Sequence, residues 1–314
     1  MSDGACQTTA STPSSSGRDP AGYALVIGSY LLFGLSATLV TWADAPASVL
    51  MVIRFVLAAL VLLVVFARRQ PLAGVFKPGN WQRLLAMGAL DAFCVIAYFF
   101  AVRTVGVAIA TFFLFLQPVW VALIAPRFLH AATERLVYFA LVIAGAGMAL
   151  ILLPSFADDA VSLSVLGLAA CLAAGWSYAF FQLFVKQLTR EVSSVTLVIV
   201  QSVLDAAFLL PLALWQFADA GQGLTCRDWV TAVAMGLVTT ALAYTMWVEG
   251  VARIRVQHSS ILGLITPVAA PIYAFVFLGQ GIAAWTIAGG ALILFAGALV
   301  VVYGSGEPSL EPPL

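Results

Sequence analysis

Ten apolar stretches, each of about twenty residues, follow one another between Tyr23 and Tyr303. A bilayer core about 30 Å thick requires ~20 helical residues to cross it. Each stretch is predicted to be a helix, because backbone groups in lipid must find their hydrogen-bond partners within the segment itself. The composition agrees, since 63% of the residues are hydrophobic and 9% are charged, against about 25% charged in soluble proteins. The sequence therefore predicts an all-α integral membrane protein.

The predicted helices are numbered α1 to α10 in chain order. The first five cover residues 23–43, 46–67, 84–103, 106–125 and 136–154. The second five cover residues 163–185, 195–217, 228–250, 258–279 and 284–303. The gaps are short, and several contain turn-forming proline, glycine or aspartate. They leave no room for a soluble domain, so any function is expected in or at the membrane.

Basic residues are distributed unevenly between the two sides of this bundle. With a cytoplasmic N-terminus, eleven of the fourteen lie on the inner side, Arg103 and Arg227 lie outside, and Arg54 lies within α2. This asymmetry follows the positive-inside rule and predicts that both termini are cytoplasmic. Residues 1–22, rich in serine and threonine, are predicted to form a disordered cytoplasmic tail, and residues 304–314 a short one.

The chain resembles itself at an offset of about 147 residues. Three of the matched pairs are Val56-Leu57 with Val203-Leu204, Met87-Gly88 with Met235-Gly236, and Gln117-Pro118-Val119 with Thr266-Pro267-Val268. Residues 23–154 and 155–303 are therefore predicted to be two repeats of five helices each. Because five is odd, the second repeat begins on the opposite side of the membrane. Such inverted repeats build transporters, with the substrate site near the midplane between the halves.

The order and spacing of several motifs carry a family resemblance. Tyr98 precedes a run from Thr111 to Pro118, Tyr244 precedes a run from Ser259 to Pro267, and Arg54 is followed by phenylalanine. Over residues 23–303 the chain resembles the EamA-type branch of the drug/metabolite transporter superfamily. One departure is the absence of the glutamate that many members carry after α9, where this chain has Leu278-Gly279-Gln280.

This resemblance implies a ten-helix carrier in the inner (plasma) membrane of a bacterium. Members generally export amino acids, other small metabolites or toxic compounds, and some import. In such proteins helices α1–α4 and α6–α9 surround the cavity, whereas α5 and α10 are peripheral. The charged residues within the predicted spans all lie in the first group of eight helices.

Three charged residues lie deep in predicted helices: Arg54 in α2, Asp91 in α3 and Asp205 in α7. A charge at the bilayer centre costs at least about 2.5–3.5 kcal/mol, so such residues face the interior and find partners. Helical rise places all three at comparable depth, and Arg54 is expected to form an ion pair with Asp91. One hypothesis is that the remaining carboxylate, Asp91 or Asp205, couples transport to protons. The alternative is a structural ion pair with a neutral, hydrogen-bonded carboxyl group.

Polar and aromatic residues that share helix faces provide the candidate substrate pathway. These residues are Tyr30, Gln117, Trp176, Gln201, Thr240, Tyr244 and Thr266. Trp247, Glu249 and His258 fall near the cytoplasmic interface and are expected to be interfacial. Pro118, Pro267 and Pro271 interrupt α4 and α9 at equivalent places in the two repeats, and are expected to act as hinges or as static bends.

The leading functional prediction is a secondary carrier that exports a small metabolite, with an amino acid as the default. Uptake by the same fold is the first alternative, and a membrane-embedded transferase is a remote one, because histidines and loop acids are not clustered. The sequence contains no Gly-rich nucleotide loop, and no metal, cofactor or nucleic acid is expected. Its four cysteines form no disulfide framework. The glycines of α5 and α10 permit close helix packing in a monomer or a homodimer.

Overall fold

The computed structural model describes residues 19–66, 75, 77, 79–129, 132–158, 164–221, 223–279 and 281–305. Most of both predicted tails lies outside these ranges, as do Arg68, Arg69 and Gln280. The N-terminal tail was expected to reach residue 22, but α1 already begins at Pro20. The reason is local: Asp19 Oδ1 accepts hydrogen bonds from the amides of Ala21 (2.9 Å) and Gly22 (3.2 Å). An acidic N-cap followed by proline is a strong helix start.

Within the described residues, ten helices are long and apolar enough to cross a membrane, as the sequence predicts. In the first half they are α1 (Pro20–Trp42), α2 (Ala47–Phe66), α3 (Asn80–Val105), α4 (Val107–Leu114 and Gln117–Phe128) and α5 (Arg135–Asp158). In the second half they are α6 (Val165–Leu188), α7 (Ser194–Ala220), α8 (Cys226–Arg253), α9 (Val256–Leu278) and α10 (Ala284–Tyr303). The predicted and observed ends differ by a few residues.

Two helices are interrupted at equivalent places. Helix α4 leaves α-helical geometry between Leu114 and Gln117, and α9 contains a 3₁₀ turn at Gly263–Ile265. In each case the next α-helical segment has a proline in its first turn, Pro118 or Pro267. Proline lacks an amide hydrogen and is accepted there, because those amides have no partner within the helix. The third predicted proline, Pro271, lies inside the last segment of α9.

Helix packing follows an inverted two-fold relation between the halves. Helix α1 packs against α8 and α9, and its counterpart α6 packs against α3 and α4. Helix α2 packs on its own counterpart α7, and α5 on α10. A Cβ added at Gly88 would lie 2.6 Å from Leu204 Cβ, and one added at Gly236 would lie 3.1 Å from Leu57 Cβ. The repeat pairs Gly88 with Gly236 and Leu57 with Leu204, so it exchanges these two contacts, and the predicted inverted repeat is confirmed.

Helices α5 and α10 form a separate pair of close-packed backbones. A Cβ added at Gly147 would lie 2.6 Å from the carbonyl oxygen of Gly289. The small residues noted in these two helices therefore serve packing within one chain at this point.

Candidate functional site

A cavity of about 460 Å³ lies between the two halves. Its walls come from α1–α4, α6, α8 and α9, and α5 and α10 contribute no residue to the described lining. The polar and charged residues of the wall are Tyr30, Ser36, Arg54, Asp91, Tyr98, Gln117, Tyr178, Tyr244 and Thr266. Phenylalanine, methionine and aliphatic side chains form most of the rest, with Cys94 and Gly263. Such a mixture of apolar wall and few polar groups is typical of small-molecule sites.

The cavity occupies one end of the bundle. We call the end that holds Pro20 and Tyr303 the termini end, and the opposite end the distal end. The lining reaches Val40, near the last turn of α1, and Ala47, the first residue of α2. Toward the termini end it stops near Tyr30 and Gly263. In this conformation the cavity is therefore accessible from the distal end.

Aromatic residues close the bundle directly beneath the cavity. Trp247 Nε1 donates a hydrogen bond of 2.9 Å to Tyr30 Oη, and the Trp247 ring stacks on Phe181 at a centroid distance of 5.8 Å. Trp247 is 2% exposed, so its expected role as an interfacial anchor is wrong. Depth along α8 suggested the interface, but α8 packs on α1 and α6 here and turns this side chain inward.

Lys186 of α6 also contributes to the closed end of the bundle. Its side chain is 3% exposed, and its Nζ donates to the carbonyl oxygens of Val251 (2.8 Å), Ala252 (3.2 Å) and Ile254 (2.9 Å). The last carbonyls of a helix have no partner within the helix and carry partial negative charge. Lys186 therefore caps α8 and ties its C-terminal end to α6.

A polar cluster lies at the termini end between α1, α9 and the segment before α5. Tyr23 Oη lies 2.6 Å from His258 Nδ1, and Glu134 Oε1 lies 3.5 Å from His258 Nε2 and 3.2 Å from Arg255 Nη1. His258 is fully buried, so the expectation that it is merely interfacial is wrong. Partial burial by itself raises the pKa of Glu134, but hydrogen bonds from Ser305 and the nearby His258 and Arg255 bring that pKa below its ordinary value.

Arg54 and Asp91 both line the cavity, but they do not form the ion pair that the sequence suggested. Among the described residues Arg54 makes no ion pair within 4.0 Å, and its Nε has no hydrogen-bond partner. Its guanidinium carbon instead lies 4.6 Å from the ring centre of the adjacent Phe55. Sharing a layer does not bring two side chains together when both are directed toward a cavity.

The second carboxylate is the group that Asp91 meets. Asp91 is 6% exposed and Asp205 is 1% exposed, and their carboxyl groups lie within hydrogen-bonding reach of each other. Gln201 Nε2 donates to Asp91 Oδ2 at 3.2 Å. Asp91 belongs to the cavity wall, whereas Gln201 and Asp205 lie behind it on α7. The structure therefore brings together three of the predicted residues in one buried group.

The other predicted pathway residues divide into two sets. Tyr30, Gln117, Tyr244 and Thr266 line the cavity, and Thr266 Oγ1 donates to the Tyr30 carbonyl oxygen at 3.2 Å. Thr240 does not, because its hydroxyl donates to the Met235 carbonyl within the π-helical turn of α8.

Trp176 also requires correction. It is 44% exposed on the outside of the bundle and packs against Phe180 at a centroid distance of 4.4 Å. The neighbouring Gly175 makes the inward contact instead, since a Cβ there would lie 2.9 Å from the Phe113 carbonyl oxygen. The prediction chose the wrong face of α6 by one residue position.

Sequence reasoning missed several aromatic residues of the wall, among them Phe33 and Tyr178. Phe33 lies one helical turn after Tyr30 and packs edge-on against Tyr244 at 4.9 Å. Tyr178 occupies the repeat position that corresponds to Tyr30. Applying the offset to each candidate in turn would have found it.

Comparisons with known proteins agree with one another. The model of a family described as the EamA-like transporter family matches residues 20–153 and 165–303. A Pseudomonas aeruginosa protein named pseudopaline exporter CntI is 27% identical over 88% of this chain and 94% of its own length. An uncharacterized transporter of Archaeoglobus fulgidus is 27% identical over 70% of this chain and 76% of its own.

The fold also has a counterpart among solved structures. One crystal structure superimposes with a TM-score of 0.74 and covers 90% of this chain and 98% of its own, at 18% sequence identity. At that identity the likeness concerns the fold alone.

Proposed function

Because the chain belongs to the EamA-like transporter family, we propose that it is a secondary active transporter that exports a small metabolite by alternating access. The default substrate is an amino acid or a related compound. The observation that carries this proposal is the cavity between the inverted halves, accessible from one end and closed at the other. A volume of about 460 Å³ lies in the range of sites for small molecules.

An asymmetry between the halves supports alternating access. Helix α8 packs against α6 and α7, whereas its counterpart α3 approaches α1 and α2 much less closely. Inverted halves can exchange such arrangements, and the exchange would close the distal end and open the termini end. The carrier then presents one cavity alternately to the two sides.

The orientation follows from the basic residues. Cytoplasmic termini in the inner (plasma) membrane place the distal end outside, so the described conformation would release substrate outward. Coupling to protons through Asp91 or Asp205 would supply the driving force. The relative named a pseudopaline exporter favours export, and an uptake permease of the same fold is the alternative.

The test is metabolite profiling of medium and cytosol from cells that over-produce the protein. The comparison is an Asp91→Asn plus Asp205→Asn variant at equal expression, with Asp44→Asn, an exposed surface change, as the matched control. We expect a compound enriched in the medium with the wild-type and control proteins and lost with the double variant. Enrichment in the cytosol would instead establish uptake, and a newly formed covalent product would favour the remote alternative of a transferase.

A further inference from the structure

The carboxyl pair behind the cavity wall has an unusual set of neighbours. Neither oxygen of Asp205 accepts a hydrogen bond of good geometry within the described residues, and the Oε1 atom of Gln201 has no partner either. Both side chains are buried, at 1% and 2% exposure. Buried polar atoms are rarely left without partners, so the unpaired oxygens of Asp205 leave room for a hydrogen on this carboxyl group.

The groups that face the carboxyl pair supply one positive charge, which is one fewer than two carboxylates would need. The titratable groups directed toward it are Arg54 from α2, Cys94 from α3, Tyr178 from α6 and Tyr244 from α8. Only Arg54 among them is a cation at neutral pH. With both carboxyl groups ionised, the layer would carry a net charge of minus one in a dehydrated setting. Two adjacent buried carboxylates do not both ionise readily.

One proton resolves the charge of the layer and the contact between the two carboxyl groups. It makes the layer neutral, and it converts the contact between the two carboxyl groups into an O–H···O⁻ hydrogen bond, which is stronger than a bond between neutral groups. The amide of Gln201 favours Asp91 as the place of the remaining negative charge, because the hydrogen bond of good geometry from its Nε2 goes to Asp91 Oδ2. An ionised carboxylate is an acceptor only and suits that position.

We propose that Asp91 and Asp205 form a site for a single proton. Asp205 carries this proton, and its O–H group donates a hydrogen bond to the carboxylate of Asp91. Gln201 is the positioning residue that keeps Asp91 as the acceptor. The inference rests on the proposed transport function only where the proton is said to drive transport. It goes beyond that function by assigning one proton to the pair as a unit and a distinct role to each of three residues.

The position of the pair defines the route of the proton. Asp91 belongs to the cavity wall and Asp205 does not. A proton from cavity water reaches Asp91 first, and the O–H bond on Asp91 breaks as the one on Asp205 forms. In the described conformation this exchange takes place with the distal end. Proton transfer to oxygen needs no further reactant.

Infrared spectroscopy of the purified full-length protein at pH 7 tests the site without any substrate. We expect the carbonyl band of one protonated, buried carboxyl group in the wild type. The band should be lost in Asp91→Asn and in Asp205→Asn, because either change leaves one carboxylate to balance Arg54. Asp228→Asn is the matched control, since Asp228 is equally buried but accepts amide hydrogen bonds from Asp44 (2.8 Å) and Ala45 (2.9 Å).

Gln201→Leu tests the positioning role separately. We expect the band to remain but to change frequency, because Asp91 loses its amide donor; an unchanged frequency would overturn the role of Gln201. Absence of the band in the wild type overturns the proposal whether or not any variant folds. Persistence of the band in both asparagine variants does the same. Metabolite profiling tests transport independently. If the protein exports a compound but shows no such band, the proposed proton site is wrong and the proposed transport function stands.

Discussion

The indole nitrogen of Trp247 donates a hydrogen bond to the phenolic oxygen of Tyr30, and this contact joins α8 to α1 across the floor of the cavity. Both residues are buried, at 2% and 3% exposure. One member of the pair lines the cavity and the other belongs to the closed end. A substrate that displaces Tyr30 would therefore act directly on the closure.

Tyr30→Phe should weaken this closure. It leaves the Trp247 N–H buried without an acceptor, which typically costs about 1–3 kcal/mol. We expect a lower thermal midpoint in detergent and faster alkylation of a cysteine introduced at the buried Leu188, with native cysteines replaced. Tyr178→Phe, at the matching repeat position, is the control. Equal alkylation rates in the two variants would contradict the prediction.

Lys186→Met should shift the carrier toward the state open at the termini end. The change removes the hydrogen bonds to the carbonyls of Val251 and Ala252 in the last turn of α8 and of Ile254 just after it, together with the charge that complements the end of the helix. Spin-label distances between the C-terminal ends of α6 and α8 should lengthen, and Lys186→Arg should restore part of the wild-type distribution.

The control for Lys186 is Arg83→Met, which breaks an exposed ion pair with Glu191 at the same end. Exposed pairs contribute about 0–1 kcal/mol, so this variant should keep the wild-type distances. Identical distributions in the Lys186→Met and wild-type proteins would show that the lysine does not hold the closure.

Labelling from outside the cell should reach the cavity in the described conformation. Ala37 lines the cavity and is exposed, so Ala37→Cys in a cysteine-free background should react with a membrane-impermeant maleimide in intact cells. Leu188→Cys, at the termini end, should react only in inverted vesicles and slowly. The reverse pattern would mean that the orientation predicted from the basic residues is wrong.

Gly147→Leu should destabilise the protein without altering the cavity. The new side chain would clash with the Gly289 carbonyl oxygen already at its Cβ atom, and over-packing of this kind costs about 1–3 kcal/mol. Gly145→Leu is a close control, because a Cβ there meets nothing within 4 Å. Thermal unfolding in detergent should distinguish the two, and equal midpoints would mean that α5 and α10 separate easily.

Acid should weaken the termini end through Glu134. The pKa of this carboxyl group lies below its ordinary value of 4.5 in the folded protein, so its contribution to stability is complete above pH 4.5 and is lost as the pH falls through the folded value. Glu134→Gln should remove that acid-dependent part of the thermal midpoint. Glu191→Gln is the exposed control, and a wild-type acid response in Glu134→Gln would exclude this assignment.

The sequence was sufficient for the architecture because membrane insertion restricts each segment so strongly. Helix length is set by the thickness of the bilayer. The offset between the repeats and the paired prolines can be read directly in the sequence. Equivalent residues of the two repeats make equivalent contacts, as Gly88 with Leu204 and Gly236 with Leu57 show.

Side-chain direction was the part that the sequence could not provide. Asp91 was expected to pair with Arg54, yet it meets Asp205, because opposite charge and equal depth do not determine which way a side chain points. Trp247 and His258 were placed by depth alone, and both are buried. Trp176 was placed on the inner face of α6, which Gly175 occupies. The rotation of a helix about its axis depends on its packing against other helices, and the sequence of that helix alone does not determine this packing.

The two halves share a backbone but not a set of charges. At the repeat offset, Arg54 corresponds to Gln201 and Asp205 corresponds to Ala58. A duplicated scaffold treats the two faces of the membrane alike and by itself favours neither. The unduplicated charges make the two halves electrostatically unequal, although the packing that holds them is repeated.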